Sequence, residues 1–392
     1  WHQCNFNVYF RRQISENFSG QIININRISP GNNKVLISWE YPESIEKSIK
    51  VNQEKYLYKV YYGKEKIDEN QINFHHNKTQ LTINNLENSC DYKLCLYLVD
   101  KKTGSIIARS LERIVRPGFV PGTVINYIHP EDYTYGFSGR SPASPSIVKL
   151  SEGEYIVSHD IYWGGAGQNL TKLFHTSDGG ETWEYLNDLF PCFWGKLFIN
   201  KDAVYMLGAS TEYGSVLIGR SDDKGKTWTE PSLILKGGCK EVGGPHKAPV
   251  PVVNHNGRIW SAIEYGSWGT GGHAAGVISA PVNSNLLNPD NWTITPFLEY
   301  DSSWPGTISG GEVPHGLEGN VVVTPKNQLV NILRYQTRGG KPEYGKAIML
   351  DINQDYPDKG LTFKKIIDFP GNMSKFTINY DPNSKKYWSL VN

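Results

Sequence analysis

The chain has 392 residues, and its charge nearly cancels, with 40 Lys and Arg against 39 Asp and Glu. This balance excludes the basic footprint of proteins that bind nucleic acid or anionic membranes. Aromatic residues make up 12% of the chain and glycines number 39, a composition typical of many short strands and tight turns.

Residues 20–116 predict a small β-domain, because apolar and polar residues alternate in short runs between turn residues. Leu86 precedes Tyr92 by six residues, which is the spacing of a tyrosine corner. Together with Trp39 on an early strand, this pattern resembles a fibronectin type III domain, and the resemblance implies a β-sandwich that acts as a spacer or docking module. The predicted strands are Val35–Trp39, Tyr58–Tyr62, Leu81–Ile83 and Tyr92–Leu96.

A proline- and glycine-punctuated stretch, residues 116–122, predicts a domain boundary, with a second domain over residues 121–392. Two segments of that domain, residues 176–183 and 221–228, share the template Ser/Thr-x-Asp-x-Gly-x-Thr-Trp. Their tryptophans, Trp183 and Trp228, are 45 residues apart, which is a period typical of β-propeller blades. Degenerate copies are expected at residues 288–292 and 381–388.

Paired apolar runs separated by polar turns predict the inner hairpins of five successive blades. The expected fold class is therefore all-β, with an N-terminal sandwich followed by a multi-bladed propeller. We expect six or seven blades in a complete ring, so that the ring is cut short at Asn392. The predicted pairs of strands are 145–148 with 155–157, 196–199 with 204–207, 249–253 with 259–263, 320–323 with 329–333, and 375–378 with 387–390.

The repeated template resembles the Asp-box, or BNR repeat, of sialidases and related carbohydrate-active β-propellers. Further segments over residues 134–392 resemble one branch of this superfamily, which is also similar to propeller rhamnosidases and lyases acting on rhamnose–glucuronate caps. The resemblance implies an exo-acting, sialidase-like glycoside hydrolase that removes a terminal acidic sugar. The segments are residues 141–146, 157–160, 246–252 and 317–323.

Polar residues just before the first strand and just after the second strand of each hairpin should converge on one mouth of a propeller. Histidines and carboxylates can move protons there, basic groups can hold a sugar carboxylate, and aromatic rings can stack on the sugar. The candidate catalytic residues are His159, Asp160, His246 and Glu318. The candidate substrate-binding residues are Arg140, Trp194, Lys196, Lys247, Glu264, Tyr265, Asn320, Arg334 and Gln336.

Two chemistries stay open at this mouth. In hydrolysis, Asp160 or Glu318 would serve as acid/base and Arg334 would bind the substrate carboxylate, as the pairing of Glu318 with Arg334 in the sialidase pattern implies. In elimination, His159 or His246 would abstract the proton next to a uronate carboxylate. A non-catalytic glycan-binding propeller is the alternative from another class, and a protein-binding scaffold is favoured less.

The remaining expectations concern partners, cofactors and location. The partner is an oligosaccharide or polysaccharide, with no nucleic acid and no membrane span, because no window approaches about 18 consecutive apolar residues. Five scattered cysteines indicate neither a disulfide framework nor a zinc site, no cofactor is predicted, and a structural calcium ion stays open. We expect a secreted, periplasmic or cell-surface protein whose signal peptide is not in this sequence.

Four further histidines, His175, His255, His273 and His315, are expected to be mostly solvated. The glycine-rich residues 266–276 are expected to form a mobile loop beside the mouth, because no helix pattern follows them to make a phosphate cradle.

Overall fold

The computed structural model describes residues 18–40, 45–47, 49, 53–74, 79–307, 312–338, 345–371 and 374–391. Strands make up most of the regular structure in these residues, which confirms the all-β prediction; two 3₁₀ helices lie at Gln53–Lys55 and Pro289–Asn291. None of the described helices is long and apolar enough to cross a membrane. Cys90, Cys95, Cys192 and Cys239 are free thiols, and Cys4 lies outside the described residues.

The N-terminal strands form one hydrogen-bonded path in the order β4-β3-β6-β7-β1-β2-β5, and β8 pairs with β6. All four strands predicted for this region are present, within β2, β3, β5 and β6. The eight strands are β1 Gln21–Gly31, β2 Lys34–Glu40, β3 Tyr56–Gly63, β4 Asn70–Phe74, β5 Gln80–Asn84, β6 Tyr92–Asp100, β7 Ile106–Ser110 and β8 Arg113–Val115.

Strand β1 changes partner along its length. Residues Gln21 to Ile23 run parallel to β7, and from Asn24 onward the strand pairs antiparallel with β2, with a register shift between Ile25 and Arg27. Side chains from both halves of the path, including Trp39 and Tyr58, share one buried core. The Tyr92 hydroxyl accepts a hydrogen bond from the Glu87 amide at 2.9 Å, which is the contact that the tyrosine-corner spacing predicts. The sandwich and its boundary remain predictions.

The segment after the predicted boundary packs directly on β1. Arg27 donates to the Ile125 carbonyl at 2.6 Å, and the Asn126 side chain accepts from the Ile28 amide at 3.0 Å. A buried ion pair between Arg113 and Asp132, 2.7 Å apart, ties β8 to the same segment. The first strands and the rest of the chain are therefore joined by specific polar contacts.

Beyond residue 140 the described chain forms sheets of successive antiparallel strands, in the arrangement typical of propeller blades. Four of the five predicted hairpins are present. In the third, most of the predicted first strand 249–253 falls in a break between two short strands, Gly244–His246 and Val253–His255, which both pair with Arg258–Ser267. The first sheet contains β9 Ser141–Ser151, β10 Glu154–Tyr162, β11 Thr171–Thr176 and β12 Glu184–Leu189. The second contains β13 Phe193–Asn200, β14 Ala203–Ala209, β15 Val216–Ser221 and β16 Ser232–Leu235. The third contains β17 Gly244–His246, β18 Val253–His255, β19 Arg258–Ser267, β20 Gly272–Pro281 and β21 Thr293–Ile294. The fourth contains β22 Glu312–Val323, β23 Leu329–Arg338, β24 Lys346–Asp351 and β25 Thr362–Asp368. The fifth contains β26 Thr377–Asp381 and β27 Lys386–Leu390.

The two template segments form equivalent turns between the third and fourth strands of the first and second sheets. Asp223 accepts hydrogen bonds from the Thr227 amide and hydroxyl at 2.8 and 2.7 Å and from the Ser221 hydroxyl at 2.8 Å. The Trp228 indole donates to the Gly225 carbonyl at 3.0 Å, and Gly225 has the positive φ that closes the turn. The template is therefore a turn-forming device.

The two degenerate copies differ from each other. Residues 288–292 connect β20 to β21, and the Trp292 indole donates to Leu286, so that this copy occupies the expected place in the third sheet. Residues 381–388 instead connect β26 to β27, the first two strands of the fifth sheet. The second copy is therefore an ordinary hairpin turn, and its assignment to the template was wrong.

We predict that Asp223→Ala destabilises the second sheet by about 1–2 kcal/mol, because three donors, the Thr227 amide, the Thr227 hydroxyl and the Ser221 hydroxyl, lose their acceptor. Asp222→Ala is the matched control, since the exposed Asp222 makes only a surface ion pair with Arg220. Thermal unfolding of both variants tests this, and equal melting temperatures for the two would contradict it.

Candidate functional site

The polar residues predicted for the mouth lie at one end of the sheets. In each antiparallel hairpin the first strand begins where the second strand ends, so that β9, β13, β17 and β22 begin beside the ends of β10, β14, β19 and β23. The side chains of these strand ends form the candidate site. We call its inner part the central cluster, which consists of Trp194, Tyr213, His246, Glu264, Trp268, His273, His315, Glu318, Arg334, Gln336 and Lys375.

A bulge near the start of three first strands sets the direction of the side chains there. Ser144, Trp194 and Glu318 have positive φ values of 49°, 52° and 55°, and each lies at a register shift of its hairpin. Positive φ is uncommon for residues other than glycine and is concentrated at functional sites. The bulge turns Trp194 and Glu318 out of the regular alternation and into the cluster.

Buried carboxylates of neighbouring sheets hold two of these bulges. Asp160 of the first sheet accepts from the Trp194 amide of the second sheet at 2.7 Å. Glu264 of the third sheet accepts from the Gly319 amide of the fourth sheet at 2.9 Å. Both carboxylates are almost fully buried, so these contacts position the strands that carry the site.

Glu264 also orients a histidine. Its second oxygen lies 3.1 Å from Nδ1 of His246, and both side chains are buried. The His246 ring packs against Trp194, with 4.4 Å between the ring centroids, and lies 6.2 Å from Tyr213. A histidine whose Nδ1 faces a carboxylate has its Nε2 available as a base.

Glu318 joins two cations on the other side of the cluster. Its carboxylate lies 2.9 Å from Arg334 and 3.6 Å from Lys375, and Arg334 also donates to Gln336 at 2.6 Å. The Lys375 side chain is 47% exposed, and its ammonium lies 5.8 Å from the Trp194 ring. The trio of Glu318, Arg334 and Lys375 therefore carries one net positive charge, with Lys375 accessible from outside.

The expectation of solvated histidines was wrong for His255, His273 and His315, which are 7%, 4% and 3% exposed. His273 lies between His246 and His315, with ring centroids 4.8 and 5.3 Å away. Burial, with the charges of its neighbours, lowers the pKa of His273 to about 2, so this ring is neutral. Neither of its ring nitrogens has a hydrogen-bond partner among the described residues.

The expected mobile loop at residues 266–276 is a hairpin. Strands β19 and β20 pair up to Ser267 and Gly272, and the turn between them places Trp268 against His273 and His315. Gly272, with φ of +146°, lies so close to His315 that a Cβ there would be 3.2 Å from the ring. The glycines therefore permit close packing of the turn on the histidines.

Two lysines lie below the cluster. Lys247 is fully buried, donates to the Ala248 carbonyl at 2.7 Å, and has its pKa lowered by burial to about 7. Lys196, half-buried, also has its pKa lowered by burial, and its charge contributes to the lowering at Lys247. Glu264 acts on Lys247 in the opposite direction.

Besides Lys196 and Lys247, five of the predicted residues lie outside the central cluster. His159 stacks on Phe174 and has its ring nitrogens 2.9 Å from the Asn126 amide and 3.1 Å from the Asp160 carbonyl, and burial lowers its pKa to about 4. Tyr265 packs on Phe297, 5.3 Å away. Asp160 accepts hydrogen bonds from the Thr171 hydroxyl and the Trp194 amide. Asn320 donates to the Phe376 carbonyl and accepts from the Ile378 amide, at the start of the fifth sheet. The Arg140 guanidinium lies over the Trp163 ring.

Five members of the cluster were not among the candidate catalytic or substrate-binding residues: Tyr213, Trp268, His273, His315 and Lys375. Tyr213 and Lys375 do lie at strand-end positions of the predicted mouth, so the hairpin pattern could find them. Trp268 and His273 could be found only from the pairing of β19 with β20, and His315, on β22, only from its packing against both. No group of three or more metal-ligating side chains occurs within the described ranges.

We predict that Asp160→Asn removes a pH dependence of stability. Burial raises the pKa of Asp160 from its ordinary 3.8 to about 7, so the native chain holds a proton that the unfolded chain releases between these values. Wild-type stability therefore falls as pH rises through this window. Asparagine can still accept from the Trp194 amide and donate to Thr171, which leaves the Thr171 hydroxyl free to donate to Cys192.

Urea unfolding of both proteins at pH 5 and pH 7 measures this effect. The free energy of unfolding of Asp160→Asn, relative to that of the wild type, should be higher at pH 7 than at pH 5. Unfolding midpoints that change in parallel would contradict the buried, protonated role of Asp160.

Comparison with known proteins finds only distant structural likeness. No protein-family model and no curated protein matches the chain. Among solved structures, an α-L-arabinanase of Penicillium chrysogenum has 14% identity and a TM-score of 0.47, covering 68% of this chain and 78% of its own. A GH93 α-L-arabinofuranosidase of Fusarium graminearum has 12% identity and a TM-score of 0.45, covering 68% and 77%. An endo-arabinase of Bacteroides thetaiotaomicron has 15% identity and a TM-score of 0.34, covering 69% and 91%.

Proposed function

We propose that this chain is a carbohydrate-active enzyme that cleaves a glycosidic bond at an acidic sugar bound in the central cluster. The observation that carries the proposal is the buried His246–Glu264 pair, which lies beside the cationic trio of Glu318, Arg334 and Lys375. A base and an anion-binding group at one aromatic-walled site are the parts such a reaction needs.

The charges and rings of the cluster suit an acidic sugar. Lys375 is accessible and the trio has one net positive charge, which favours a carboxylate. Nε of Arg334 is buried without a hydrogen-bond partner among the described residues, which gives a bound carboxylate one further donor. Trp194, buried between His246 and Lys375, forms part of the aromatic wall of the cluster.

Base-initiated elimination is the chemistry that the contacts favour. Nε2 of His246 takes the proton from the carbon next to the uronate carboxylate, and Arg334 and Lys375 stabilise the charge that develops on that carboxylate. The bond from the neighbouring carbon to the glycosidic oxygen then breaks, a carbon–carbon double bond forms, and the leaving oxygen takes up a proton. We assign the donation of this proton to the Tyr213 hydroxyl, whose ring centroid lies 6.2 Å from that of His246.

Hydrolysis by a pair of carboxylates is the second candidate. Glu264 bonds the amide of Gly319, next to Glu318, so that the two glutamates flank one bulge. However, both oxygens of Glu264 are engaged by Gly319 and His246, and both of Glu318 face cations. Canonical hydrolysis needs one carboxyl group that is protonated and free to reach the glycosidic oxygen. The sialidase-like, exo-acting assignment therefore has weaker support from this geometry than elimination has.

We predict that His246→Ala lowers turnover by about 100-fold or more on the acidic sugar that the enzyme cleaves, because the base is removed. The assay is a panel of acidic oligosaccharides and polyuronates, scored by reducing-sugar release and by ultraviolet absorbance. Elimination yields an unsaturated uronate that absorbs in the ultraviolet, whereas hydrolysis yields reducing ends alone.

His175→Ala is the matched control for this variant. His175 contacts Glu154 and Glu184 beside the first template turn, away from the cluster, so its loss should leave turnover near the wild-type value. Full turnover by His246→Ala would refute the assignment of the base. Sugar binding without turnover by the wild type would favour the non-catalytic glycan-binding alternative.

We also predict that Glu264→Gln lowers kcat by about 100-fold while the protein stays folded. Glutamine can accept from the Gly319 amide, but its NH₂ then faces Nδ1 of His246 and moves the ring proton to Nε2. The base is lost although the ring stays in place. Unchanged kcat in a variant with a wild-type melting temperature would show that Glu264 serves only the strand contact.

A further inference from the structure

The rim of the first sheet carries a patch of aromatic and cationic side chains outside the central cluster. We call it the rim patch, and it consists of Tyr133, Arg140, Tyr162 and Trp163. The three rings are 57%, 40% and 38% exposed. Exposed aromatic groups gathered in one place mark binding surfaces more often than scattered ones do.

Arg140 lies between two of these rings. Its guanidinium carbon is 3.9 Å from the ring centroid of Trp163 and 4.8 Å from that of Tyr133, and NH1 donates to the Tyr133 hydroxyl. No carboxylate pairs with Arg140 among the described residues, whereas Arg220 pairs with Asp222. The two rings therefore fix the position of the Arg140 guanidinium, and its remaining N–H groups can donate to an anion.

The backbone beneath the rim patch is closely packed. The Arg140 amide donates to the Tyr162 carbonyl at 3.1 Å, and a Cβ on Gly139 would lie only 2.3 Å from the backbone of Tyr162. The buried Ser138 hydroxyl donates to Ile161 at 3.1 Å. A rigid backbone of this kind keeps the rings in place before a ligand arrives.

A series of aromatic contacts connects the rim patch to the central cluster. Tyr162 stacks on Phe193 with 6.5 Å between centroids, Phe193 lies 4.8 Å from Trp194, and Trp194 lies 4.4 Å from His246. Phe193 and Trp194 are buried, so this series fixes the rim patch at three ring contacts from His246 and does not itself touch a glycan. A sugar unit contacts the exposed rings of the rim patch, because each sugar presents an apolar face to an aromatic ring.

We propose that the rim patch is an outer subsite that binds a uronate unit of the same acidic polysaccharide whose end is cleaved in the central cluster. Arg140 pairs with the carboxylate of that unit, and Trp163 and Tyr133 contact its sugar ring. This inference rests on the proposed function for the nature of the glycan, and it narrows the substrate from short glycosides to extended polyuronates.

The test measures binding alone, in a His246→Ala background, so that no cleavage intervenes. The probes are polygalacturonate and alginate, each paired with its carboxyl-reduced form, in which the acid is replaced by a neutral alcohol. The readout is the retardation of the protein in native gels that contain the polymer. Arg140→Ala should weaken binding to at least one acidic polymer by about tenfold, which is typical of the loss of one charge-assisted contact, and should leave binding to its reduced form unchanged.

Two further variants complete the design. Trp163→Ala should weaken binding to both forms of the polymer, because stacking does not depend on charge. Arg220→Ala is the matched control, since Arg220 also lies near an aromatic ring, Tyr205 at 5.9 Å, but its charge is paired with Asp222. Circular dichroism confirms that each variant is folded.

Three outcomes would overturn the proposal: no retardation by any of the acidic polymers, unchanged binding by Arg140→Ala, or equal losses in Arg140→Ala and Arg220→Ala. Failure of the proposed function is seen separately, as wild-type protein that turns over no member of the glycan panel. A chain that turns over glycans but binds equally well without Arg140 keeps the proposed function and loses the outer subsite.

Discussion

The site depends on a hydrogen bond that a buried carboxylate of one sheet makes to the bulged first strand of the next. Positive φ at Trp194 and Glu318 costs of order 1–3 kcal/mol each, and persists only where the surroundings hold it. The bonds from the Trp194 amide to Asp160 and from the Gly319 amide to Glu264 supply that hold at equivalent places. One constraint thus joins the sheets and orients the side chains that line the cluster.

The same hydrogen bonds between sheets decide which carboxyl groups are available for proton transfer. Desolvation by burial raises the pKa of Asp160 to about 7, although the hydrogen bonds that it accepts from the Thr171 hydroxyl and the Trp194 amide act in the opposite direction. Glu264, in the corresponding role, has a second partner in His246. In the proposed reaction, proton transfer is therefore assigned to the histidine beside Glu264 rather than to the carboxylates themselves.

Local patterns made the fold and part of the site predictable. Alternation located the hairpins, and the Asp–Gly–Trp template located two turns, because both signals act within a few residues. His273 and His315 were misjudged because their burial arises from the pairing of β19 with β20 and from the packing of Trp268, neither of which is local. Asp160 was predicted to face the mouth because it follows the second strand of its hairpin. A bulge opposite it changes the regular alternation of side chains, and a register shift of this kind leaves no clear signal in sequence.

Some buried polar atoms of the cluster lack hydrogen-bond partners among the described residues. His273 has two ring nitrogens and Arg334 has one Nε that are buried without partners among the described residues, and each such group costs about 1–3 kcal/mol. In contrast, each carboxylate oxygen of Glu264 and Glu318 has a hydrogen-bond or ion-pair partner. Neutral His273 has one N–H donor and one acceptor nitrogen, and Nε of Arg334 is a further donor, so a ligand that carries both hydroxyl groups and oxygen acceptors would satisfy all three. The acidic glycan of the proposed function carries both kinds of group.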